Sequence, residues 1–279
     1  MDNFNVYKDI QARTKGEIYI GVVGPVRTGK STFIKRFMEL AVLPAMEDES
    51  LKAVSTDELP QSAGGKTVMT TEPKFIPKEA VQITLGDGIQ AKVRLIDCVG
   101  YMVDGAAGHV ENGEERMVKT PWSEKEIPFT QAAQIGTRKV IGDHSTIGIV
   151  VTTDGSVGEL KRSAYIDAEK QTVDELKKLG KPFILLLNST KPYSDETLKL
   201  AEQLAADYGV TVLPVSCEQL KKEDIFHILE SVLKEFPVTQ LDFHIPKWLE
   251  VLPATHWLKT QVIDMARELL KKVSHMKDA

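Results

Sequence analysis

The segment Gly24-Pro25-Val26-Arg27-Thr28-Gly29-Lys30-Ser31 restricts the possible folds of this chain more than any other. It matches the spacing G-x-x-x-x-G-K-[ST], in which a glycine-bearing loop wraps phosphate groups with inward-pointing N–H groups. That spacing needs a buried strand to deliver the loop and a helix to leave it, so that the positive end of the helix faces the anion. The flanking residues predict this context. Glu17 to Val23 is short, apolar and β-branched, as a buried parallel strand is. Lys30 to Val42 reads as a helix carrying Phe33, Phe37 and Leu40 on one face, ended by Pro44. The expected nucleotide contacts are Gly24, Val26, Arg27, Thr28, Gly29, Lys30, Ser31 and Thr32. Lys30 reaches the β- and γ-phosphates, and Ser31 offers an oxygen to Mg2+.

Downstream, apolar strands alternate with amphipathic helices. Val81 to Leu85 and Ala91 to Ile96 read as strands joined by the turn Gly86-Asp87-Gly88. Ile147 to Val151, Phe183 to Leu187 and Val210 to Val215 read as further strands. Helices are expected over Ser163 to Leu179, Ser194 to Tyr208 and Asp224 to Phe236, the last burying Ile225, Ile228, Leu229, Val232 and Leu233. The order implies an α/β fold of P-loop NTPase type, with a mostly parallel sheet flanked by helices. Residues 44–72 and 100–130 lack periodicity and read as long functional loops. Past Pro237 the pattern changes. Residues 1–236 form the nucleotide domain, and 237–279 a short helical extension. Its final helix, Thr255 to Met276, carries Leu258, Val262, Met265 and Leu269 on one face, to pack on its own domain or on an absent neighbour.

Other motifs supply the remaining chemistry. Asp97-Cys98-Val99-Gly100 ends a strand and matches the D-x-x-G element of GTPase-like proteins. Asp97 is the Mg2+-side acid and the Gly100 N–H senses the γ-phosphate. Between the two motifs lie Thr70 and Thr71, where a switch threonine closes over Mg2+ and the γ-phosphate; the spacing does not choose between them. On the base side, a GTPase carries N-K-x-D. Here the strand ends Asn188-Ser189-Thr190-Lys191-Pro192, which puts Lys191 or Tyr193 where the guanine-reading acid belongs. Without that acceptor guanine selectivity falls, and ATP becomes a candidate alongside GTP. Asn188, Thr190, Lys191 and Ser216 are the expected base-side residues. Tyr101 follows Gly100 in place of the water-orienting Gln, so hydrolysis is slow or completed by Arg27 supplying charge in cis. A GTP-dependent switch and a non-hydrolysing scaffold are the competing readings.

Composition removes other classes. Of 279 residues, 35 are Lys or Arg and 40 Asp or Glu, a net charge of −5, which leaves no basic footprint for nucleic acid. Cys98 and Cys217 are too few for a disulfide framework, and the six histidines show no metal-ligand spacing. The first residues lack a signal-peptide pattern, and no apolar run approaches a membrane span, so a cytoplasmic protein is expected.

Taken together, Val22 to Thr32, Met69 to Phe75, Leu95 to Tyr101 and Leu187 to Pro192 resemble the stage IV sporulation protein A family, the morphogenetic ATPases of endospore-forming bacteria. The resemblance implies ATP hydrolysis with Mg2+ that drives assembly of a static homopolymer. It places that polymer at the base of the spore coat, in the mother-cell cytoplasm at the forespore surface. The implied partners are coat proteins and a small amphipathic membrane-anchoring peptide. By position, Lys30 is the P-loop lysine, Thr70 and Thr71 the sensor threonines and Asp97 the metal-side acid. Family members are longer, so residues 237–279 resemble the entry to a middle region.

Overall fold

A computed structural model of the chain describes residues 16–60, 73–84, 90–106, 110–111, 114–238 and 240–278. Among them a six-stranded sheet forms the centre, in the order β10-β9-β8-β1-β3-β2. These strands are β1 (Glu17–Val23), β2 (Lys74–Thr84), β3 (Gln90–Asp97), β8 (Ile147–Thr153), β9 (Phe183–Asn188) and β10 (Val212–Val215). All neighbours are parallel except β2, which runs antiparallel to β3 at one edge. Parallel strands are covered on both faces, and the side chains sort accordingly. Ile149 and Val151 join a core with Phe33, Phe37, Ile228 and Leu229; Val150 points the other way, to Val173, Leu176 and Leu204. On the first face lie α1 (Lys30–Phe37) and α6 (Lys222–Lys234). On the second lie α3 (Phe129–Lys139), α4 (Ile166–Lys178) and α5 (Asp195–Tyr208).

Register decides what this sheet presents. Val22 lies opposite Asp97, Thr153 opposite Asn188, and Asn188 opposite Val215. The carboxyl ends of the five parallel strands therefore share one edge, where ligands bind in open α/β sheets.

Four expectations need correction. Residues 44–72 are not all loop: α2 (Glu49–Asp57) starts where Asp48 accepts hydrogen bonds from the backbone N–H groups of Ser50 and Leu51, at 2.8 and 3.2 Å. Its apolar residues Leu51 and Val54 are exposed, so it leaves no buried periodicity to read. The strand expected from Val81 begins at Lys74. Its register shifts between Ile76 and Val81, and Pro77, which lacks an N–H, is tolerated there because β2 is an edge strand. Leu85 and the turn residues 86–88 lie outside the described residues. The segment 100–130 holds two short ribbons, β4 (Val110–Glu111) with β5 (Glu114–Glu115) and β6 (Met117–Thr120) with β7 (Ser123–Pro128). It leads into α3, unread because its buried face is built of Ala132, Ala133, Gly136 and Thr137 behind Phe129.

The fourth correction concerns the extension, whose final helix ends at Lys272 and not at Met276. It contains α7 (Lys247–Val251) and α8 (Trp257–Lys272), and α8 buries none of its residues. Met265 is 61% and Leu269 50% exposed, so among the described residues nothing covers the expected face. Beyond α8 the chain returns to the nucleotide domain. The N–H of Val238 donates to the Ser274 carbonyl (3.0 Å), and that of Met276 to the Phe236 carbonyl (2.9 Å). Met276 enters the main core, and Lys277 Nζ donates to both Glu235 oxygens at 2.9 Å.

Behind the site edge sits a buried ion pair. Arg162 Nη1 and Nη2 donate to Glu169 Oε2 and Oε1 at 2.6 and 2.7 Å. The same carboxylate accepts from Thr152 Oγ1 (2.5 Å) and Tyr208 Oη (2.9 Å), joining β8, α4 and α5. Glu169 is wholly buried. Removing one partner of such a pair strands the other charge, so Glu169→Ala is expected to cost about 3 kcal/mol in urea unfolding. A loss below about 1 kcal/mol would show that water screens the pair.

Candidate functional site

The phosphate loop runs from Gly24 to Gly29 between β1 and α1. Two glycines show why the spacing is strict. Gly29 has φ +97°, and a side chain there would collide with Asn188 Nδ2; Gly100 has φ +92°, and one there would collide with the Gly24 carbonyl and lie 2.7 Å from Lys30 Nζ. Both need the left-handed region and close backbone approach that glycine permits. The loop is held from two sides. Val26 N–H donates to the Tyr101 carbonyl (2.9 Å), which ties it to the segment after Asp97. Asn188 Nδ2 donates to the Thr28 carbonyl (2.9 Å), and Asn188 Oδ1 accepts from Cys217 N–H (3.0 Å). Asn188 thus clamps the phosphate loop to both base-side loops.

At this edge Lys30 is buried and Asp97 half-buried. Lys30 Nζ donates to the carbonyls of Pro25 (2.6 Å) and Gly24 (3.2 Å). Burial lowers its pKa, opposed by Cys98 and Asp97. Burial raises the Asp97 carboxyl to about 6, against the pull of Lys30. Asp97 Oδ1 is buried without a hydrogen-bond partner. An orphaned carboxylate oxygen beside a phosphate loop fits a hard divalent cation such as Mg2+, which takes one or two protein oxygens and completes its shell with phosphate and water. Among the described residues no cluster of three His, Cys, Asp or Glu side chains is gathered. Ser31 and Thr32 stand half-buried in the first turn of α1.

Tyr101 does not occupy the water-orienting place. Its side chain is 1% exposed and packs with Val26, Val103, Ala106, Tyr165 and Ala168. Arg27 has φ +63°, the one non-glycine residue with positive φ among those described. Cys98 is buried, its thiol pushed up to about 11 by burial, so it is a packing residue and no nucleophile. On the base side Thr190 and Lys191 are exposed, their N–H groups donating to Ser156 Oγ (2.9 Å) and Ser189 Oγ (3.0 Å). Ser216 is half-buried, and its carbonyl accepts from Gln219 N–H (3.0 Å). Thr70 and Thr71 lie outside the described residues.

Sequence reasoning missed Asp154 and Ser156. Asp154 Oδ1 accepts from the N–H (2.9 Å) and Oγ (2.6 Å) of Ser156, an Asx-type turn that presents Ser156 to Thr190. The Asp-Gly-Ser run after β8 carried the signal. It missed Tyr165 too, since one aromatic residue before a helix has no distinguishing pattern.

The raised carboxyl of Asp97 gives a signed expectation for the nucleotide-free protein. A folded pKa above the unfolded value means that stability is full below the unfolded pKa, about 4, and is lost as pH rises through about 6. Asp97→Asn removes that loss. It is expected to raise the metal-free melting temperature at pH 7.5 by at least about 3 °C and to leave it unchanged at pH 4. An equal shift at both pH values would assign the effect to packing.

Residues 1–237 match a family model described as stage IV sporulation protein A, ATPase domain, and residues 238–279 match the model of that family's middle domain. Stage IV sporulation protein A of Bacillus subtilis (strain 168) is 49% identical over 278 residues, spanning all of this chain and 56% of the relative. That of Clostridioides difficile (strain 630) is 49% identical over 276 residues, 99% of this chain and 56% of the relative. The chain thus spans little more than half the length of these relatives. With family models and 49%-identical relatives matching along its whole length, the chain belongs to the stage IV sporulation protein A family.

Proposed function

We propose that this chain binds ATP with Mg2+ and hydrolyses it slowly, and that hydrolysis drives its assembly into a static homopolymer at the base of the spore coat. The observation that carries the nucleotide assignment is a P-loop segment joined through Asn188 to a base-side loop whose acid position falls on Lys191 or Tyr193, one exposed and the other 79% exposed. Neither side chain can accept the two hydrogen bonds that guanine donates. The matched ATPase-domain model supports the same choice. On the family resemblance, the polymer sits in the mother-cell cytoplasm, peripheral to the forespore membrane. A small amphipathic peptide anchors it and coat proteins build on it. Residues 237–279 are read as the start of a middle domain, which gives the uncovered face of α8 a partner in longer family members.

The residues then take these roles. Lys30 exchanges the carbonyls of Gly24 and Pro25 for β- and γ-phosphate oxygens, which relieves its burial. Asp97 and Ser31, with Thr71 or Thr70, would hold Mg2+, whose charge when bound would stabilise the transferring phosphoryl group. The Gly100 N–H faces the γ-phosphoryl, and Arg27 adds charge from within the loop. Water is the nucleophile. With Tyr101 packed inward, no side chain at that position orients it, which keeps turnover slow.

Phosphate release from ATP tests the activity, with Lys30→Ala expected to fall at least about 100-fold. Arg27→Ala is expected to lower kcat more than tenfold while KM stays within about threefold. Equal losses in both would make Arg27 a binding residue only. In competition binding ATP outcompetes GTP, and Lys191→Asp shifts that ratio toward GTP by about tenfold. Tighter GTP binding by the parent would sink the adenine assignment. Light scattering with ATP against a non-hydrolysable analogue tests the coupling, and identical assembly with both would refute it.

A further inference from the structure

Tyr165 is wholly buried at the end of the short turn Arg162–Tyr165, and its hydroxyl has no hydrogen-bond partner. An unsatisfied buried polar atom needs an explanation. Packing does not provide it, because the ring alone fills the cluster with Val26, Tyr101 and Ala168. Nor is the residue loose. Arg162, three positions earlier, is held by Glu169, by Thr152 Oγ1 (3.1 Å) and by the Thr153 carbonyl (3.3 Å), which fixes the turn against the end of β8. The ring therefore lies against the phosphate loop at Val26, next in sequence to Arg27. The Arg27 charge is near enough to oppose the upward shift that burial imposes on the phenol. Arg27 also keeps a left-handed backbone that glycine would adopt without strain. Strain of this kind persists where the surroundings hold a residue for a purpose.

We propose that Tyr165 is a positioning residue for Arg27: its phenol oxygen accepts a hydrogen bond from the guanidinium when a γ-phosphoryl group draws Arg27 over the loop, and so fixes the direction of that charge. The assignment rests on the reading of this domain as an ATPase. Its chemistry is simple. A guanidinium has five donors in a fixed fork, so one can bind the phenol while others face phosphate oxygens. A neutral buried phenol accepts without adding charge to the site.

The test compares the full chain with Tyr165→Phe, Arg27→Ala and the double variant. Tyr165→Phe removes one oxygen and is expected to lower kcat roughly tenfold, with KM for ATP within about threefold. The double variant falls no further than Arg27→Ala, because the phenol acts through the guanidinium. The melting temperature of nucleotide-free Tyr165→Phe equals or exceeds that of the parent, since the oxygen has no bond to lose. A lowered melting temperature with unchanged kcat, or independent losses in the double variant, would overturn the proposal. The ratio of affinities for a non-hydrolysable ATP analogue and ADP is measured on the same proteins and is expected to fall in Tyr165→Phe. If the parent releases no more phosphate than Lys30→Ala, the ATPase reading fails. The affinity ratio then decides the Tyr165 assignment by itself, an unchanged ratio overturning it.

Discussion

The parallel pairing of β1 with β3 on one side and β8 on the other is the constraint on which the rest depends. It buries β1 on both faces and both edges, so the loop leaving its carboxyl end has nowhere to go but over the ends of its neighbours. Val22 opposite Asp97 puts an acid beside the phosphate loop without any local sequence signal linking the two. The same logic runs outward through β9 and β10, whose ends carry Asn188 and the Ser216-Cys217 loop. Asn188 then joins the rows by donating to the phosphate loop and accepting from Cys217. One side chain thus couples phosphate and base-side loops that lie 160 residues apart in sequence.

Two polar groups at this edge are poorly provided for: Lys30 donates to the loop's own carbonyls, and Asp97 keeps an oxygen without a partner. Each arrangement carries a desolvation cost. The Arg162–Glu169 pair, in contrast, is satisfied on every oxygen and serves as a fixed support behind the edge.

What was legible follows from which faces are buried by large side chains. β8 and β9 are apolar throughout, and α6 repeats Ile225, Ile228, Leu229, Val232 and Leu233, so each could be read directly. α3 escaped because Ala132, Ala133 and Gly136 let it pack closely without large apolar residues. α2 escaped because its apolar side chains face solvent. The extension was legible as a helix, and its apolar face is uncovered among the described residues. The stripe on α8 is real, yet the contact with the rest of the chain is made beyond the helix end at Lys272, by Met276 and Lys277.

The sequence alone establishes the motifs: the spacing G-x-x-x-x-G-K-S, an acid at a strand end, and a later strand end without the N-K-x-D carboxylate. These are short-range patterns, and local spacing carries them whole. Only the tertiary structure decided how they are used. It turned Tyr101 inward and made Asn188 a clamp, left Asp97 Oδ1 and the Tyr165 hydroxyl buried without partners, and brought the end of the extension back to the main core. The physical reason is that burial and strand register arise from contacts between distant segments, and no window of sequence contains them.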